Sequence, residues 1–470
     1  MQIETNSVGS MKIYDTMQKK VVPFRLNKNR IVKMYVCGPT VYDSPHIGHA
    51  KTYIFFDALA KYLRAQGFQV FYVQNITDLD DKIITKAAQE NLPTEIISKR
   101  YLMDYLKIMK SLKIDSVNLY VPATMEFRKI ISQIKTLVRK GYAYETDDGV
   151  YFSVSRFPDY GKLSGQDLNS LRSGSRIDIN ENKRDPRDFV IWKKMKPGEP
   201  YWDSPWGKGR PGWHIEDTAI TDAFLGKTYD IHGGGSDLIF PHHEAEIAIE
   251  RSVSGRKILS RYWIHTGMLN IEGEKMSKSL HNYVTIDEVL KDFTPEDLRY
   301  ALLNCQFNTQ LSFSGELMEE SRKNVNALSS IYNKLKQKAG DENMESDYSI
   351  INSLDSFLEY NIDFRGMFSK LMSYVSEWNK NLDAMDSREA SLSLSALKWV
   401  NEFTGVIREG ENSARSDDLI RLLLSARKSL RTAKDFSSSD AIRSGLRKLG
   451  VHIEDQGSET IWWYSDTEGE

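Results

Sequence analysis

The sequence predicts an α/β protein in which a parallel sheet is followed by a helical region and a small C-terminal unit. Three observations predict this: a strand, a helix and a strand in succession near the N-terminus, a Gly-, Pro- and Trp-rich stretch after residue 145, and apolar residues at helical spacing after residue 290. A chain of 470 residues exceeds what one hydrophobic core usually serves. We therefore expect about two to four domains.

The first elements form a βαβ unit. Residues 31–37 are typical of a short buried strand that ends at Gly38-Pro39-Thr40, an amphipathic helix is predicted from about Gly48 to Arg64, and a second strand from Phe68 to Ile76. Such a unit places its ligand site at the carboxyl ends of parallel strands. The residues that we expect to lie together there are Cys37, Thr40, His46 and Thr77.

The rest of the chain divides by composition. Helical patterns run from about residue 80 to 140, and residues 145–213 then predict an irregular insertion between two halves of the sheet, whose aromatic content argues against disorder. Past residue 290 the apolar residues at helical spacing are Leu298, Ala301 and Leu302, then Leu317, Val325, Leu328 and Ile331. The stretches Gly340 to Asp347 and Arg408 to Asp418 interrupt this helical domain and leave a small C-terminal unit.

Composition narrows the class of protein. No apolar run approaches the roughly 18 residues of a membrane span, and the first twenty residues lack a signal-like apolar region, so we expect a cytoplasmic protein. Two cysteines, Cys37 and Cys305, cannot build a disulfide framework. The net charge of -2 gives no general argument for nucleic-acid binding. Eight of the nine histidines fall between His46 and His281.

Two short signatures carry the chemistry. The first, His46-Ile47-Gly48-His49, stands at the predicted strand-to-helix turn, where glycine, free N–H groups and imidazoles can approach a phosphate. The second, Lys275-Met276-Ser277-Lys278-Ser279, offers two ammonium groups that can close over a triphosphate as pyrophosphate leaves. Either alone could be a helix cap or a solvated charge run. Together they indicate ATP-dependent nucleotidyl transfer, and the chain lacks the P-loop of a conventional NTPase.

Several ordered strings give the chain a family resemblance. They are Met34-Tyr35-Val36-Cys37-Gly38-Pro39-Thr40-Val41-Tyr42-Asp43, the HIGH segment at residues 46–49, Asn75-Ile76-Thr77-Asp78, Gly209-Arg210-Pro211-Gly212-Trp213-His214-Ile215-Glu216, His232-Gly233-Gly234-Gly235-Ser236-Asp237, Phe240-Pro241-His242-His243-Glu244 and the KMSKS segment at residues 275–279. On these strings the chain resembles the cysteinyl-tRNA synthetases, a family of class I aminoacyl-tRNA synthetases, along nearly its whole length.

The resemblance implies a Rossmann-like catalytic domain with an insertion, a helical bundle domain and an anticodon-binding unit. The implied divisions are 1–30 (N-terminal extension and lead-in strand), 31–130 (first half of the catalytic domain), 131–205 (connective insertion), 206–255 (second half), 256–315 (contact region with the KMSKS loop), 316–410 (helical domain) and 411–470 (C-terminal anticodon-recognition unit).

The resemblance also implies a two-step reaction. The cysteine carboxylate attacks the α-phosphate of Mg²⁺-ATP to give cysteinyl adenylate and pyrophosphate, and a terminal ribose hydroxyl of tRNA(Cys) then attacks the adenylate. Such displacements need positioning and charge neutralisation rather than a protein nucleophile. The implied catalytic residues are His46, His49, Lys275 and Lys278. The implied ATP-binding residues are these four together with Thr40, Gly48, Gly234, Asp237 and Met276, with a turn at Gly233 to Gly235 against the adenosine and Asp237 on the ribose.

A zinc site is implied for recognition of the substrate thiol. From the residues alone, Cys37 could be a small core residue and His242 a capping residue. The family places zinc beside the substrate sulfur, and a soft metal separates cysteine from serine better than an apolar pocket does. Asp217 stands where the family usually has a second cysteine, so the expected zinc ligands, one ion per chain, are Cys37, Asp217, His242 and Glu246. A metal-free site with Asp217 as a hydrogen-bonding substitute is the alternative. The implied cysteine pocket is Cys37, Gly38, Thr77, Trp213 and His242.

The C-terminal segment is locally basic. From Arg415 to Lys448 nine Lys or Arg face four Asp or Glu, which indicates phosphate contact or a solvated helix face. By resemblance, Phe436 would stack on an anticodon base, and Asp440 and Asp455 would accept base N–H groups. We expect a monomer.

Three other functions stay open at this point. One is a ligase that joins cysteine to an amino-sugar acceptor, although such relatives lack an anticodon-reading end. Another is a catalytically inactive RNA- or nucleotide-binding module, which intact HIGH and KMSKS segments disfavour. The third is a zinc hydrolase, disfavoured because no His-Glu-x-x-His motif is present.

Overall fold

A computed structural model describes residues 11–25, 30–166, 182–271, 274–275, 283–340, 348–409, 413–449, 451–456 and 459–464. The chain forms two compact units, residues 1–408 and residues 409–470. Within the described ranges, no helix is both long and apolar enough to cross a membrane.

The strands are, in chain order, β1 Lys12–Asp15, β2 Lys20–Pro23, β3 Ile31–Val36, β4 Gln69–Ile76, β5 Leu119–Pro122, β6 Ala143–Glu145, β7 Gly149–Phe152, β8 Phe189–Lys194, β9 Gly209–Pro211, β10 Tyr229–Gly235, β11 Ser260–Thr266, β12 Leu269–Ile271, β13 Glu274–Lys275, β14 Leu311–Phe313, β15 Val451–Gln456 and β16 Glu459–Tyr464. The α-helices are α1 Ile47–Ala65, α2 Asp81–Glu90, α3 Thr94–Ser111, α4 Phe127–Arg139, α5 Trp213–Phe224, α6 Glu244–Ser254, α7 Ile286–Asp292, α8 Pro295–Leu303, α9 Gly315–Ala339, α10 Tyr348–Glu359, α11 Phe364–Asn381, α12 Ser387–Thr404, α13 Ser413–Thr432 and α14 Phe436–Lys448.

The central sheet has five strands in the order β11-β10-β3-β4-β5. All four pairings are parallel, and the predicted βαβ unit is confirmed as β3, α1 and β4. Helix α1 is not amphipathic as predicted, because both its faces are covered: Ile54, Phe56 and Leu59 are buried, and so are Lys51 and Asp57. It packs between the sheet and helices α8 and α12.

The insertion is more regular than its composition predicted. Strands β6, β7, β8 and β9 form an antiparallel four-stranded sheet around the fully buried Phe152 and Trp192. These strands have only three to six residues each, and residues 153–188 separate β7 from β8. The alternation of burial is therefore too short to see in the sequence.

The predicted helical region is confirmed as α7 to α12, and a buried arginine joins it to α1 and α3. Arg299 on α8 is fully buried and its Nη2 donates to Asp57 Oδ2 on α1 at 2.9 Å. Its Nε and Nη1 donate to the carbonyls of Thr404 and Leu112, at the ends of α12 and α3, at 2.5 and 2.9 Å. One guanidinium thus satisfies two helix C-termini and a buried carboxylate.

The β1–β2 hairpin connects distant parts of the same unit. Asp15 Oδ1 accepts the N–H of Trp263 on β11 at 2.9 Å. The N–H of Tyr14 donates to Asn361 Oδ1 at 2.8 Å, and the N–H of Asn361 donates to the carbonyl of Lys12 at 2.9 Å. The hairpin therefore fastens the sheet edge to the loop between α10 and α11.

The unit of residues 409–470 contains α13, α14 and the β15–β16 hairpin, with a small core of Ile420, Leu446, Val451 and Ile453. Arg427, whose side chain is 2% exposed, makes a two-pronged ion pair with Asp455, with both distances at 2.8 Å. Such planar pairs fix geometry as well as charge.

Candidate functional site

A cleft of about 430 Å³ opens where β3, β10 and β11 end. The predicted residues that line it are Cys37, Gly38, Thr40, His46, Gly48, His49, Trp213 and Asp237. Thr77 does not line the cleft: it is buried beneath it, pairs with Thr40 through the backbone, and its Oγ1 lies 3.4 Å from Glu216 Oε2. The parallel sheet thus brings the first signature together with the residues predicted beside it.

His46 and His49 cap α1 with each other. The Nδ1 of His46 accepts the N–H of Gly48 at 3.1 Å, and the Nδ1 of His49 accepts the N–H of His46 at 3.2 Å. The rings stack with centroids 3.8 Å apart. Each imidazole therefore satisfies an N–H group that the helix start leaves unpaired.

This arrangement fixes which nitrogen of each ring carries the proton. Because Nδ1 accepts in both rings, a neutral imidazole must hold its hydrogen on Nε2. Burial, aided by His46 and Lys82, holds the pKa of His49 well below its ordinary value. His49 is therefore a neutral N–H donor at physiological pH, and the capping contact uses only its Nδ1.

The second signature is described only at its first residue. Lys275 lies in β13, where its backbone pairs with Asn270 on β12, and Met276 and Lys278 lie outside the described residues. Leu269, the first residue of β12, lines the cleft. The described chain therefore leads directly from the cleft wall to the second signature.

The glycines at residues 233–235 form the end of β10 rather than the predicted turn. A Cβ on Gly233 would stand 2.2 Å from the Phe56 ring of α1, so glycine is required for this helix to pack on the strand. Gly234 does not line the cleft, and a Cβ there would meet His243 and Leu238. Gly235 and Asp237 do line it.

Lys82 belongs to the site, although the sequence reasoning did not include it. It lies in the first turn of α2, lines the cleft and places its Nζ 5.1 Å from the centre of the Tyr42 ring. Among the described residues that line the cleft, it is the sole lysine or arginine. Its position just after the Asn75-Ile76-Thr77-Asp78 string, at the start of the next helix, was the available signal.

The four predicted zinc ligands come together at the base of the cleft. One donor atom from each of Cys37, Asp217, His242 and Glu246 lies within 4.8 Å of the others, and all four residues are buried. The Nε2 of His242 is 2.7 Å from Asp217 Oδ2 and 3.1 Å from Glu246 Oε1. Cys37 Sγ lies 3.5 Å from Asp217 Oδ2. The residue after β3, helix α5, the turn before α6 and the first turn of α6 thus supply one group.

Two further histidines, which the sequence reasoning missed, adjoin this group. His232 and His243 form a second set of four with Cys37 and Glu246. The Nε2 of His243 is 3.0 Å from Cys37 Sγ, and the Nε2 of His232 is 3.4 Å from Glu246 Oε2. Both histidines stand in strings that carried the family resemblance, but nothing in their spacing distinguished ligand from neighbour.

The donor set fits a divalent cation. Burial raises the pKa of the Cys37 thiol well above its ordinary value, helped by Glu246 and Asp217, and burial with Asp217 does the same for the pKa of Glu246. Among the described residues, Asp217 Oδ1 is buried without a hydrogen-bond partner, and Glu246 Oε2 has only the 3.4 Å approach of His232 Nε2. Buried charges in proteins are paired or bind metals, and sulfur, imidazole and carboxylate are all zinc ligands.

Trp213 connects the metal-binding group to the open cleft. Its ring stacks on His242 with centroids 3.9 Å apart, while the residue is 38% exposed and lines the cleft. The Nδ1 of His214 lies 2.8 Å from the Nδ1 of His242. These neighbours fix the imidazole that would face the ion.

The predicted tRNA-binding residues differ in exposure and in whether their polar atoms already have partners in the chain. Phe436 is 57% exposed at the start of α14, and Asp440 is exposed one turn later on the same helix. Asp455 is occupied, because its carboxylate accepts from Arg427, Arg431 and Thr460 at 2.8 to 3.2 Å. Phe436 and Asp440 thus present a free aromatic face and a carboxylate side by side.

Known proteins have sequences similar to this chain over almost its whole length. A family model for the class I (C) tRNA synthetase catalytic domain matches residues 23–323. A cysteine–tRNA ligase of Thermoplasma acidophilum is 54% identical over 96% of this chain and all of its own, and one of Pyrococcus abyssi is 40% identical over 96% of this chain and 98% of its own.

Solved structures of other synthetases show the same fold. Methionyl-tRNA synthetase of Mycobacterium tuberculosis with methionyl-adenylate aligns with a TM-score of 0.57 and 16% identity, covering 80% of this chain and 90% of that one. A leucyl enzyme of Agrobacterium radiobacter in complex with tRNA aligns with a TM-score of 0.61 and 11% identity, covering 81% and 85%. With the fold, the cleft and these full-length relatives in agreement, the chain belongs to the cysteinyl-tRNA synthetase family of class I aminoacyl-tRNA synthetases.

Proposed function

We propose that this chain is a cysteine–tRNA ligase, which activates L-cysteine with ATP and transfers it to the 3′-terminal ribose of tRNA(Cys). One observation carries the proposal: Cys37 lines the nucleotide-sized cleft and also belongs to the buried group of metal-binding side chains. A thiol-selective centre therefore adjoins the two histidines of the first signature. Family membership supports the same assignment.

In the first step the cleft residues hold Mg²⁺-ATP. The Nε2–H groups of His46 and His49 and the N–H groups at the start of α1 donate to phosphate oxygens. Asp237 accepts from the ribose hydroxyls. Lys275 and Lys278 neutralise charge as pyrophosphate leaves. The cysteine carboxylate attacks the α-phosphorus, and the bond to the bridging oxygen of pyrophosphate breaks.

Selection of cysteine falls to the base of the cleft. Zinc bound by Cys37, Asp217, His242 and Glu246 would supply a Lewis-acidic partner for the substrate sulfur, which serine cannot match. Trp213 stacks on His242 and closes the side of the pocket where it lines the cleft. Carboxylate in place of thiolate at Asp217 makes the donor set harder than one with a second cysteine.

In the second step a ribose hydroxyl at the 3′ end of tRNA attacks the carbonyl carbon of the adenylate, and AMP leaves. The unit of residues 409–470 supports a tRNA acceptor over a small amine, because Phe436 offers a stacking face and Asp440 an acceptor for base N–H groups. The basic residues between Arg415 and Lys448 supply phosphate contacts.

Pyrophosphate exchange with cysteine or serine, with and without a chelator, tests the reaction, the substrate and the metal together. We expect exchange that depends on cysteine, ignores serine and falls after chelation, with recovery on zinc addition. Zinc analysis of protein purified without chelator is the independent readout for the metal. Equal exchange with serine would exclude the substrate assignment, and full cysteine exchange in zinc-free protein would exclude the metal site. Charging of tRNA(Cys) against an amino-sugar acceptor identifies the acceptor.

A further inference from the structure

A buried lysine joins the helix of the first signature to the wall of the cleft. Lys51 on α1 is 2% exposed, and its Nζ donates to the carbonyls of Gly267 and Thr309, both at 2.7 Å, with the carbonyl of Met268 at 3.4 Å. Within the described part of the chain, no carboxylate makes an ion pair with it. Burial lowers its pKa from the ordinary value.

A buried ammonium is costly unless its hydrogens are satisfied, so its retention needs a reason. Here the three acceptors all come from backbone at the edge of the site. A Cβ on Gly267 would lie 2.0 Å from the Thr309 carbonyl oxygen, so the two segments approach as closely as glycine permits. Two carbonyl oxygens pointing into one buried space repel each other unless a cation stands between them.

The backbone segment at Gly267 and Met268, which Lys51 contacts, both lines the cleft and leads into β12. Gly267, Met268 and Leu269 line the cleft next to Thr266, which pairs with Gly235 on the neighbouring strand. Leu269 begins β12, whose Asn270 pairs with Lys275. The Lys51 contacts therefore lie at the base of the hairpin that leads into the second signature.

Lys51 also follows His49 by two residues on the same rigid helix. We propose that Lys51 is a positioning residue, which fixes the adenosine side of the cleft and the β12–β13 hairpin against the helix that carries His46 and His49. The proposal rests on the proposed function, since it assigns ATP to this cleft. One side chain thereby sets where the backbone of Lys275, the first residue of the second signature, lies relative to the first signature.

The test compares Lys51→Met, Lys51→Gln and Lys51→Arg with Lys61→Met in the full chain. Lys61 is the matched control, because it lies on the same helix and donates to the Lys113 carbonyl at 2.7 Å, but its partners Lys113, Asp57 and Asp115 do not line the cleft, whereas Gly267 and Met268 do. Binding of AMP is measured by calorimetry, and KM values for ATP and cysteine by pyrophosphate exchange. Circular dichroism melting identifies the folded variants.

We expect Lys51→Met to weaken AMP binding and raise KM for ATP by about tenfold, with KM for cysteine changed less than about twofold. Lys51→Arg keeps a cation and should stay within about threefold of the parent, and Lys61→Met should equal the parent.

A folded Lys51→Met or Lys51→Gln variant with the parent's AMP affinity would overturn the proposal, as would an equal loss for ATP and cysteine. Lys51→Gln keeps a polar side chain that can donate to one carbonyl, so it serves if the Met variant does not fold. Failure of the proposed function is separate: it would appear as absent cysteine-dependent exchange in the parent, while the AMP titration still measures the effect of Lys51.

Discussion

At the scale of single residues, substitution can separate the capping contact of His49 from the phosphate-donor role that we propose for it. Asparagine places an acceptor near the position of Nδ1 but has nothing at Nε2, whereas alanine removes both. We expect His49→Asn to keep the free energy of unfolding within about 0.5 kcal/mol and His49→Ala to lose about 1 kcal/mol, the usual worth of a cap. Both should lower kcat/KM for exchange by about 100-fold. Urea unfolding and exchange assays measure the two effects, and near-normal exchange by the Asn variant would refute the donor function.

Glu250 gives a pH dependence of stability. Burial raises its pKa to about 8, and its Oε1 has no hydrogen-bond partner in the part of the chain that the structure describes. The folded chain therefore holds a proton that the unfolded chain releases above about pH 4.3, so folding loses up to about 1.4 kcal/mol for each pH unit between about 5 and 8. We expect Glu250→Gln to gain thermal stability over the parent at pH 8 and little at pH 5.

The control for Glu250 is Glu377→Gln on the exposed side of α11, which should melt with the parent at both pH values. Comparison of variant and parent at each pH cancels the contributions of the other titrating groups. A Glu250→Gln gain that is the same at pH 5 and pH 8 would contradict the raised pKa.

The sequence and the structure agree unevenly at this scale. Cys37, Asp217, His242 and Glu246 could be named before the structure because each stands in, or within two residues of, a string that resembles the family. His232 and His243 could not be separated from ordinary core histidines, since their closeness to Cys37 depends on how β10 and α6 pack against β3. Lys51 was missed because its partners are backbone carbonyls more than 200 residues away, and such contacts leave no pattern.

At the scale of elements, the packing of α1 on β10 depends on the absence of a side chain. Gly233→Ala would place a methyl group against the Phe56 ring, so we expect a loss of about 1–3 kcal/mol in unfolding free energy and a raised KM for ATP, because α1 carries His46 and His49. Adding Phe56→Leu should restore part of both, as neighbouring sites are not additive. Denaturant unfolding measures the change in unfolding free energy, and pyrophosphate exchange measures KM for ATP.

Gly315→Ala serves as the control, since a Cβ there meets nothing within 4 Å. If Gly233→Ala behaved like Gly315→Ala, the close contact between α1 and β10 would not limit either stability or ATP binding.

Element boundaries were predictable where the pattern is local and long. Strands β3 and β4 and helix α1 begin and end within about two residues of their predicted limits, because a continuous apolar run bounded by Gly and Pro is a strong signal. The prediction that α1 is amphipathic was wrong, because its second face is buried by α8 and α12, which lie more than 200 residues later. The antiparallel sheet of the insertion could not be predicted, because β7 pairs with β8 more than 30 residues later and the periodicity of the sequence does not show which strands pair.

At the scale of the whole molecule, the two compact units predict separable activities. The unit of residues 1–408 contains the cleft, the metal-binding group and its own core. A chain that ends at residue 409 should keep cysteine-dependent pyrophosphate exchange within about twofold and lose most tRNA charging, because anticodon contacts would be gone. Asp440→Ala in the full chain should show a weaker form of the same effect. Equal loss of both activities would contradict the assignment of the C-terminal unit.

The β1–β2 hairpin makes the order of synthesis matter. Tyr14 and its partner Asn361 are 347 positions apart. At about 5–20 residues per second, a ribosome needs roughly 17–70 s to bridge that interval. During this time the N–H of Tyr14 has no Asn361 to bond, although Trp263, the partner of Asp15, is made earlier in the interval. The β1–β2 hairpin is therefore synthesised early but completes its native contacts late, because Asn361 lies in the helical region.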